Sequence, residues 1–224
     1  MKLVRPPLRT MREVLGSEVH QTTDVALDVY CAENVLLREF FWMRLWLLVL
    51  LMGWFSKGRK TCLDFGGGSG VFIPSLRTGF DHVSLIDINA THAETLMDLL
   101  QIRNVSIVKE DITAFDFPDG SFDAIVAADV LEHFQILATP VAKIRKWLGE
   151  SGYLFTSLPT ENFTYRLLRR VFGKQKPDDH YHSAREVEDF IKRSGFKKVI
   201  SIYHPLFVPV LPLFRISVWK KAPD

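Results

Sequence analysis

The sequence has little cysteine and no strong excess of either charge. Two cysteines occur among 224 residues, Cys31 and Cys62, and neither belongs to a C-x-x-C pair. A disulfide framework and a cysteine-based zinc site are therefore not expected, and we predict reduced thiols in a cytoplasmic protein. The 28 basic and 26 acidic side chains leave a net charge of +2. Because no basic run is dense, nothing in the composition indicates nucleic-acid binding.

The first 39 residues also lack a sustained apolar run, so no signal peptide is predicted. Hydrophobic residues make up 47% of the chain and charged residues 24%, which is ordinary for a soluble globular protein. A chain of 224 residues can bury a real core, and we expect a single domain. Within it, residues 1–55 are predicted to form a loosely held N-terminal arm and a helical cap, and residues 56–224 the core.

The most apolar run of the chain covers residues 40–55. It spans 16 residues and contains Arg44, whereas a membrane-spanning helix needs about 20 apolar residues with few charges. Three interpretations stay open: a helix buried on the edge of a sheet, an interfacial helix, and a membrane span. The second would add peripheral membrane contact through residues 40–55. Lys57, Arg59 and Lys60 could then cap the helix or face anionic lipid.

A short apolar segment, residues 62–65, leads into three glycines at alternate positions, Gly66, Gly68 and Gly70. Glycine adopts positive φ readily and has no Cβ, so the chain can turn sharply and a ligand can lie against it. The pattern predicts a strand, a glycine turn and the start of a helix, whose N-terminus has unpaired N–H groups. Such a turn suits an adenine nucleoside with a carboxylate or phosphate tail.

Three families could use this turn. A phosphate-binding P-loop needs Lys-Ser/Thr after its last glycine, but Val71-Phe72 follows Gly70. A dinucleotide fold has G-x-G-x-x-G, and Val71 takes the place of its last glycine. The G-x-G-x-G form after Leu63-Asp64 resembles the first motif of class I S-adenosylmethionine (SAM) dependent methyltransferases. Gly67 stands where many members of that family have cysteine. A tight strand-to-helix corner without a ligand is the alternative.

One acidic residue ends the second predicted strand, and another comes shortly after the third, residues 105–109. Asp87 closes residues 81–87, and a carboxylate there can accept hydrogen bonds from both ribose hydroxyls of a nucleoside. Asp87 could instead cap the following helix, for which Asn89 and Thr91 are also candidates. Asp111 follows the third predicted strand. The resemblance implies that Asp111 holds the adenine amine and that the neighbouring Ile112 packs on the ring.

A second strong pattern follows. Residues 118–121, Pro-Asp-Gly-Ser, predict a turn, and the apolar residues 122–128 predict a central parallel strand. Residues 129–133 read Asp-Val-Leu-Glu-His. This order resembles the fourth-strand motif of the methyltransferase subgroup that includes quinone-biosynthesis enzymes.

The remaining elements are predicted from local signals. Residues 139–148 predict a helix with Thr139 as its N-cap, which residues 149–152 end, and residues 153–159 predict the fifth strand. Ser183 and Glu186 form a capping-box pattern at the start of the last helix. Residues 197–203 and 213–220 are expected to form the last two strands, around a proline-rich connection.

The resemblance implies an α/β fold: a Rossmann-like, doubly wound, seven-stranded and mostly parallel sheet with an antiparallel last strand. Helices are expected on both faces, with an extra aromatic-rich helix near the N-terminus. It also implies a SAM-dependent methyltransferase that acts on a small-molecule acceptor by in-line displacement. A non-catalytic binding module and an NAD-dependent oxidoreductase are the alternatives. The cofactor residues would be Asp64, Gly66, Gly67, Gly68, Gly70, Asp87, Ile88, Asp111, Ile112, Ala128, Asp129 and Leu131.

The catalytic base is the least determined part of this prediction. Histidine titrates near neutral pH, and His133 and His182 are the candidates, with His180 a third. Asp129, Glu132 and His133 also stand where some quinone O-methyltransferases carry a divalent ion, but we expect no metal here. Aromatic residues in the apolar run and in residues 206–213 favour a hydrophobic acceptor. The acceptor itself, the atom methylated and the oligomeric state are not predicted.

Overall fold

The computed structural model describes residues 1–16, 25–160, 180–205 and 213–222. Most of the proline-rich connection, residues 206–212, lies outside the described residues. The chain divides into two compact units, Met1–Phe115 and Asp116–Asp224. Each unit is described by itself below.

The first unit contains helices and three described strands. In chain order these are α1 (Leu8–Gly16), α2 (Val25–Cys31), α3 (Val35–Phe55), β1 (Thr61–Phe65), α4 (Ile73–Leu76), β2 (His82–Ile86), α5 (Thr91–Leu99) and β3 (Val105–Val108). The second unit contains β4 (Phe122–Ala128), a 3₁₀ turn (Leu131–His133), α6 (Ala138–Trp147), β5 (Leu148–Pro159), α7 (Ala184–Arg193), β6 (Phe196–His204) and β7 (Phe214–Lys221).

Seven strands of the described residues form one sheet in the order β3-β2-β1-β4-β5-β7-β6. β2 runs parallel to both β1 and β3, and β4 runs parallel to β5. β7 is antiparallel to both of its neighbours, β5 and β6. This sheet confirms the predicted Rossmann-like α/β fold with an antiparallel last strand.

The strands of the first unit end at one edge. β1 and β2 are almost entirely buried, as expected for apolar strands covered on both faces of a parallel sheet. Past their ends, the Gly66 N–H donates to the Ile86 carbonyl at 2.8 Å, and the Asp87 N–H donates to the Val108 carbonyl at 3.1 Å. These two bonds bring the glycine turn and the acid after β2 to the same carboxyl edge.

The N-terminal residues are held firmly, contrary to the prediction of a loose arm. The Lys2 N–H donates to Thr78 Oγ1 at 2.9 Å, and the Val4 N–H donates to Ser75 Oγ at 2.9 Å. Met11 and Val14 of α1 are buried, and α1 packs against α5. No local pattern predicts this docking, because the hydrogen-bond partners of Lys2 and Val4 lie more than 70 residues away along the chain.

Helix α3 contains the predicted apolar run and begins five residues before it. Asn34 caps its start, since Asn34 Oδ1 accepts a hydrogen bond from the Leu37 N–H at 3.1 Å. The internal charge of the run is accommodated, because buried Arg44 donates through Nη2 to Tyr30 Oη at 2.7 Å. Among the described residues, no helix combines the length and the hydropathy that crossing a membrane requires.

The second unit corrects two boundaries. α6 begins at Ala138 after Leu137, which makes no side-chain cap, so the prediction that Thr139 caps this helix was wrong. β5 begins at Leu148, so residues 149–152 belong to the strand instead of forming a terminator of the helix. The register of β4 against β5 shifts between Phe122 and Ala124, which accommodates this irregular start. The predicted capping box of Ser183 and Glu186 is confirmed.

Candidate active site

The glycine turn has the backbone that its sequence requires. Gly66, Gly68 and Gly70 have φ values of +70°, +48° and +70°, a region of backbone conformation that residues with a Cβ atom rarely adopt. The Gly70 N–H donates to the Gly67 carbonyl at 2.9 Å, and the Ile73 N–H donates to the Gly70 carbonyl at 3.0 Å. A helix does follow, but α4 has four residues, so the turn offers local N–H groups rather than the N-terminus of a long helix.

Asp87 is tied to the glycine turn. Its Oδ2 accepts a hydrogen bond from the Gly68 N–H at 2.9 Å, and its Oδ1 accepts one from the Asn89 N–H at 2.8 Å. The capping alternative was wrong, because Ala90 precedes α5 and no side chain caps that helix. A carboxylate has about four lone-pair directions, so each oxygen can accept a second hydrogen bond. The side chain is therefore held in place with accepting capacity left over for hydroxyl groups.

Asp64 lies in the penultimate position of β1 and is 3% exposed. Among the described residues its Oδ2 has no hydrogen-bond partner. Burial, together with the negative charge of Asp87, raises the pKa of the Asp64 carboxyl to about 7. An unpartnered buried oxygen costs stability, so its presence beside the glycine turn fits a site that receives a hydrogen-bonding cation.

Gly67 makes room for the Asp64 carboxyl. A Cβ atom at position 67 would lie 2.6 Å from Cγ of Asp64, 2.7 Å from its Oδ2, and 2.6 Å from Cδ1 of Leu85. Such distances are far below van der Waals contact, so the glycine and the acid depend on each other sterically. The absence of a side chain at position 67 is thus matched by the position of Asp64.

The predicted adenine residues lie beyond β2 and β3. Asp111 Oδ1 accepts hydrogen bonds from the Thr113 N–H at 2.7 Å and from Thr113 Oγ1 at 2.8 Å, which forms a local turn. Ile112 is buried, whereas Ile88 is 61% exposed. The first unit therefore has the exposed apolar side chain of Ile88 next to Asp87, and the acid Asp111 just after β3.

The predicted cofactor residues of the second unit follow the end of β4. Ala128 is the last residue of that strand, and Leu131 is buried in the 3₁₀ turn. Asp129 has a φ of +55°, and its N–H donates to the Ser157 carbonyl at 2.9 Å. Positive φ is uncommon for residues other than glycine and concentrates at functional sites. Nothing in the sequence had predicted this conformation.

The histidine candidates are arranged around the 3₁₀ turn. The Glu132 carbonyl accepts a hydrogen bond from the Tyr181 N–H at 2.9 Å, which brings the segment before α7 to this turn. The rings of His133 and His180 then meet edge to face with their centroids 4.6 Å apart. His182 lies elsewhere on the same segment, with Nε2 3.2 Å from the Gln135 carbonyl.

One ligand atom each from Glu132, His133 and His180 lies within 4.8 Å of the other two. Glu132 is buried, and the two histidines are half-buried. The sequence had grouped Asp129 with Glu132 and His133, so His180 is the member that it did not place. No sequence pattern could place His180 beside His133, because the backbone hydrogen bond that brings them together joins Tyr181 to Glu132, 49 positions apart.

Comparison with known proteins gives the family. A protein-family model described as "Methyltransferase domain" matches residues 42–201, which is more than half of the chain. Over 130 residues the chain is 23% identical to the (S)-tetrahydroprotoberberine N-methyltransferase of Eschscholzia californica, covering 56% of this chain and 36% of that protein. The chain thus spans about a third of the length of the curated N-methyltransferases that it matches.

Two solved structures share the fold. The N-methyltransferase NodS of Bradyrhizobium japonicum, in complex with S-adenosyl-L-homocysteine, aligns with a TM-score of 0.66 at 18% identity and covers 96% of this chain and 100% of its own. The 1,6-didemethyltoxoflavin-N1-methyltransferase of Burkholderia thailandensis aligns with a TM-score of 0.64 at 17% identity, over 100% of this chain and 93% of its own. On the strength of the family match, this chain belongs to the methyltransferase domain family.

Proposed function

We propose that this protein is a SAM-dependent methyltransferase that transfers a methyl group to a nitrogen atom of a small, hydrophobic acceptor. The observation that carries the proposal is the pair of carboxylates at the glycine turn. Asp87 accepts a hydrogen bond from the Gly68 N–H. Asp64 places beside Gly67 a buried oxygen that has no hydrogen-bond partner in the described part of the chain. The family match supports methyl transfer over the oxidoreductase alternative.

The two acids have distinct roles in this proposal. Asp87 accepts hydrogen bonds from the ribose hydroxyls, for which its oxygens keep accepting capacity. Asp64 receives the α-ammonium group, because a cation is the partner that stabilises a buried carboxylate best. The complexes of NodS and of the toxoflavin N-methyltransferase with S-adenosylhomocysteine support a nucleoside of this kind.

The other cofactor residues keep their predicted roles. The backbone of Gly66, Gly68 and Gly70 leaves room for the methionine portion, and Gly67 leaves room for Asp64. Asp111 and Ile112 hold the adenine, and Asp129 and Leu131 contact the cofactor. Ile88 and Ala128 are further cofactor contacts in this proposal.

Bound SAM supplies an electrophilic methyl group on its sulfonium sulfur. The chain's own residues then bind and orient the reactants and exclude water, which is what an in-line displacement needs. His133 accepts a proton from the acceptor nitrogen, so that a neutral amine presents its lone pair. His182 is the second candidate for this role. No metal ion is part of the proposed reaction.

A nitrogen acceptor is proposed because the curated relatives include an (S)-tetrahydroprotoberberine N-methyltransferase and a pavine N-methyltransferase. Their identities of 23% and 25% are too low to carry over the acceptor itself. The class that we propose is therefore an apolar amine, consistent with the aromatic residues predicted to favour a hydrophobic substrate.

Two experiments test the proposal in sequence. Titration calorimetry should show binding of SAM and S-adenosylhomocysteine and no binding of NADH. Incubation with SAM and a panel of apolar amines and phenols, with mass spectrometry of the products, should then show methylated amines and equal turnover after EDTA treatment. Binding without any product would favour the non-catalytic module, and turnover lost with EDTA and restored by a divalent ion would implicate Glu132, His133 and His180.

A further inference from the structure

Helix α3 carries an apolar face that the protein leaves exposed. Leu36 is 80% exposed, Trp46 43%, Leu50 47% and Trp54 83%. Residues four apart lie on the same side of a helix, so Trp46, Leu50 and Trp54 form one continuous stripe. We call Trp46, Leu50 and Trp54 the α3 stripe. At 1.5 Å per residue it extends roughly 12 Å along the helix. Leu36 lies nearer the start of the helix, beyond Glu39.

The opposite side of the same helix is buried. Leu45, Leu48 and Met52 are buried in the first unit. A helix that packs into a globular protein normally has a polar face toward solvent, whereas α3 is apolar on both sides. Large exposed apolar side chains that form a contiguous patch mark an interaction surface.

Along the chain, the charges that flank the stripe within residues 40–60 have one sign. No Asp or Glu occurs in residues 40–60, and the nearest acid on the helix, Glu39, is paired with Arg5 at 2.7 Å. Exposed Lys57 and Lys60, with half-buried Arg59 between them, follow directly after the C-terminal end of the stripe. The surface thus places two tryptophans and a leucine next to a cluster of basic residues.

We propose that the α3 stripe docks on an anionic lipid surface. Tryptophan is enriched where the hydrocarbon of a bilayer meets its headgroups, and apolar stripes next to Lys and Arg are typical of interfacial helices. Lys57, Arg59 and Lys60 would contact anionic headgroups while Trp46, Leu50 and Trp54 enter the boundary. The basic residues favour lipid over a second copy of this chain as the partner. Anionic headgroups would pair with them, whereas two copies of the same surface would bring like charges together.

Vesicle sedimentation of the full chain tests this proposal. We expect strong binding to vesicles of phosphatidylcholine with phosphatidylserine, and weak binding to phosphatidylcholine alone. Leu50→Gln combined with Trp54→Gln should lower the partition coefficient tenfold or more. Lys57→Glu should lower it about fivefold or more at low salt. Increasing salt should weaken the binding of the wild-type protein.

Two matched variants serve as controls. Leu99→Gln removes an exposed leucine of similar exposure, 44%, from α5, and Lys192→Glu reverses an exposed lysine in the last turn of α7. Both should bind vesicles like the wild type, and circular dichroism with SAM titration should show that every variant is folded. Equal binding to neutral and anionic vesicles, or no binding to either, would overturn the proposal. A concentration-dependent dimer in analytical ultracentrifugation that Trp54→Gln abolishes would assign the stripe to a second copy and overturn it too.

Discussion

The Asp87 carboxylate and the Gly68 backbone are joined by a hydrogen bond of 2.9 Å. The bond links the end of β2 to the turn that follows β1, across 19 residues of sequence. A second bond to the Asn89 N–H fixes the other carboxylate oxygen. The side chain proposed to hold the ribose is therefore oriented before a ligand arrives, which lowers the entropy cost of binding.

Replacement of Asp87 by alanine should weaken S-adenosylhomocysteine binding by about 10- to 100-fold. Hydrogen bonds to a charged group contribute roughly 1.5–3 kcal/mol, and each 1.4 kcal/mol is a factor of ten in affinity. Titration calorimetry measures the change. Asp81→Ala, at an exposed position before β2, is the matched control and should bind like the wild type. An unchanged affinity of Asp87→Ala would remove Asp87 from the cofactor site.

Asp64 should make the ligand-free protein less stable as the pH rises. Its pKa is about 7 in the folded chain, whereas the ordinary pKa of 3.8 applies when the chain is unfolded, so between these two pH values the folded state binds more protons than the unfolded state. By linkage, the free energy of unfolding falls as pH increases through this window, by about 4 kcal/mol at most. Urea unfolding of the wild type and of Asp64→Asn at acidic and mildly alkaline pH measures the effect. Asp64→Asn should lose most of this pH dependence while binding SAM more weakly, and an identical pH profile in both proteins would contradict the assignment.

Gly67→Ala should destabilise the protein by about 1–3 kcal/mol, because the new methyl group collides with Asp64 and Leu85. Chemical denaturation gives the change in unfolding free energy. Gly16→Ala, where an added Cβ meets nothing within 4 Å, should change stability by less than about 0.5 kcal/mol. If Gly67→Ala were as stable as the wild type, the close approach of the Asp64 carboxyl to the turn would be incorrect.

His133→Ala should lower kcat by about 10²- to 10⁴-fold while the affinity for S-adenosylhomocysteine stays unchanged, because a general base acts on the acceptor. The acidic limb of the pH–rate profile should disappear with it. His182→Ala tests the second candidate, and His82→Ala, whose ring pairs with Ser106 in the first unit, is the control. A normal kcat in His133→Ala with a loss in His182→Ala would move the base to position 182.

Much of the fold could be predicted because its signals are local. Alternating glycines, the apolar residues of β4 and the Ser183–Glu186 capping box each lie within a few residues, and the structure has all three. The family resemblance then supplied the seven-stranded, mostly parallel sheet and its antiparallel last strand, which no local pattern contains. The order of the strands came only from the structure.

The features that were missed depend on contacts distant in sequence. Lys2 docks on Thr78, and the Tyr181 N–H finds the Glu132 carbonyl, which brings His180 to His133. The absence of a side-chain cap on α5 follows from Asp87, whose carboxylate binds Gly68 and Asn89 instead. Tertiary hydrogen bonds thus redirected side chains that local rules assign to helix ends.

A crystal structure of the protein with S-adenosylhomocysteine tests the central claim most directly. The account predicts that both ribose hydroxyls lie within hydrogen-bonding distance of the Asp87 carboxylate and that the amino group lies against Asp64. A nucleoside bound with its sugar away from Asp87, or side chains filling the space beside the glycine turn, would contradict it.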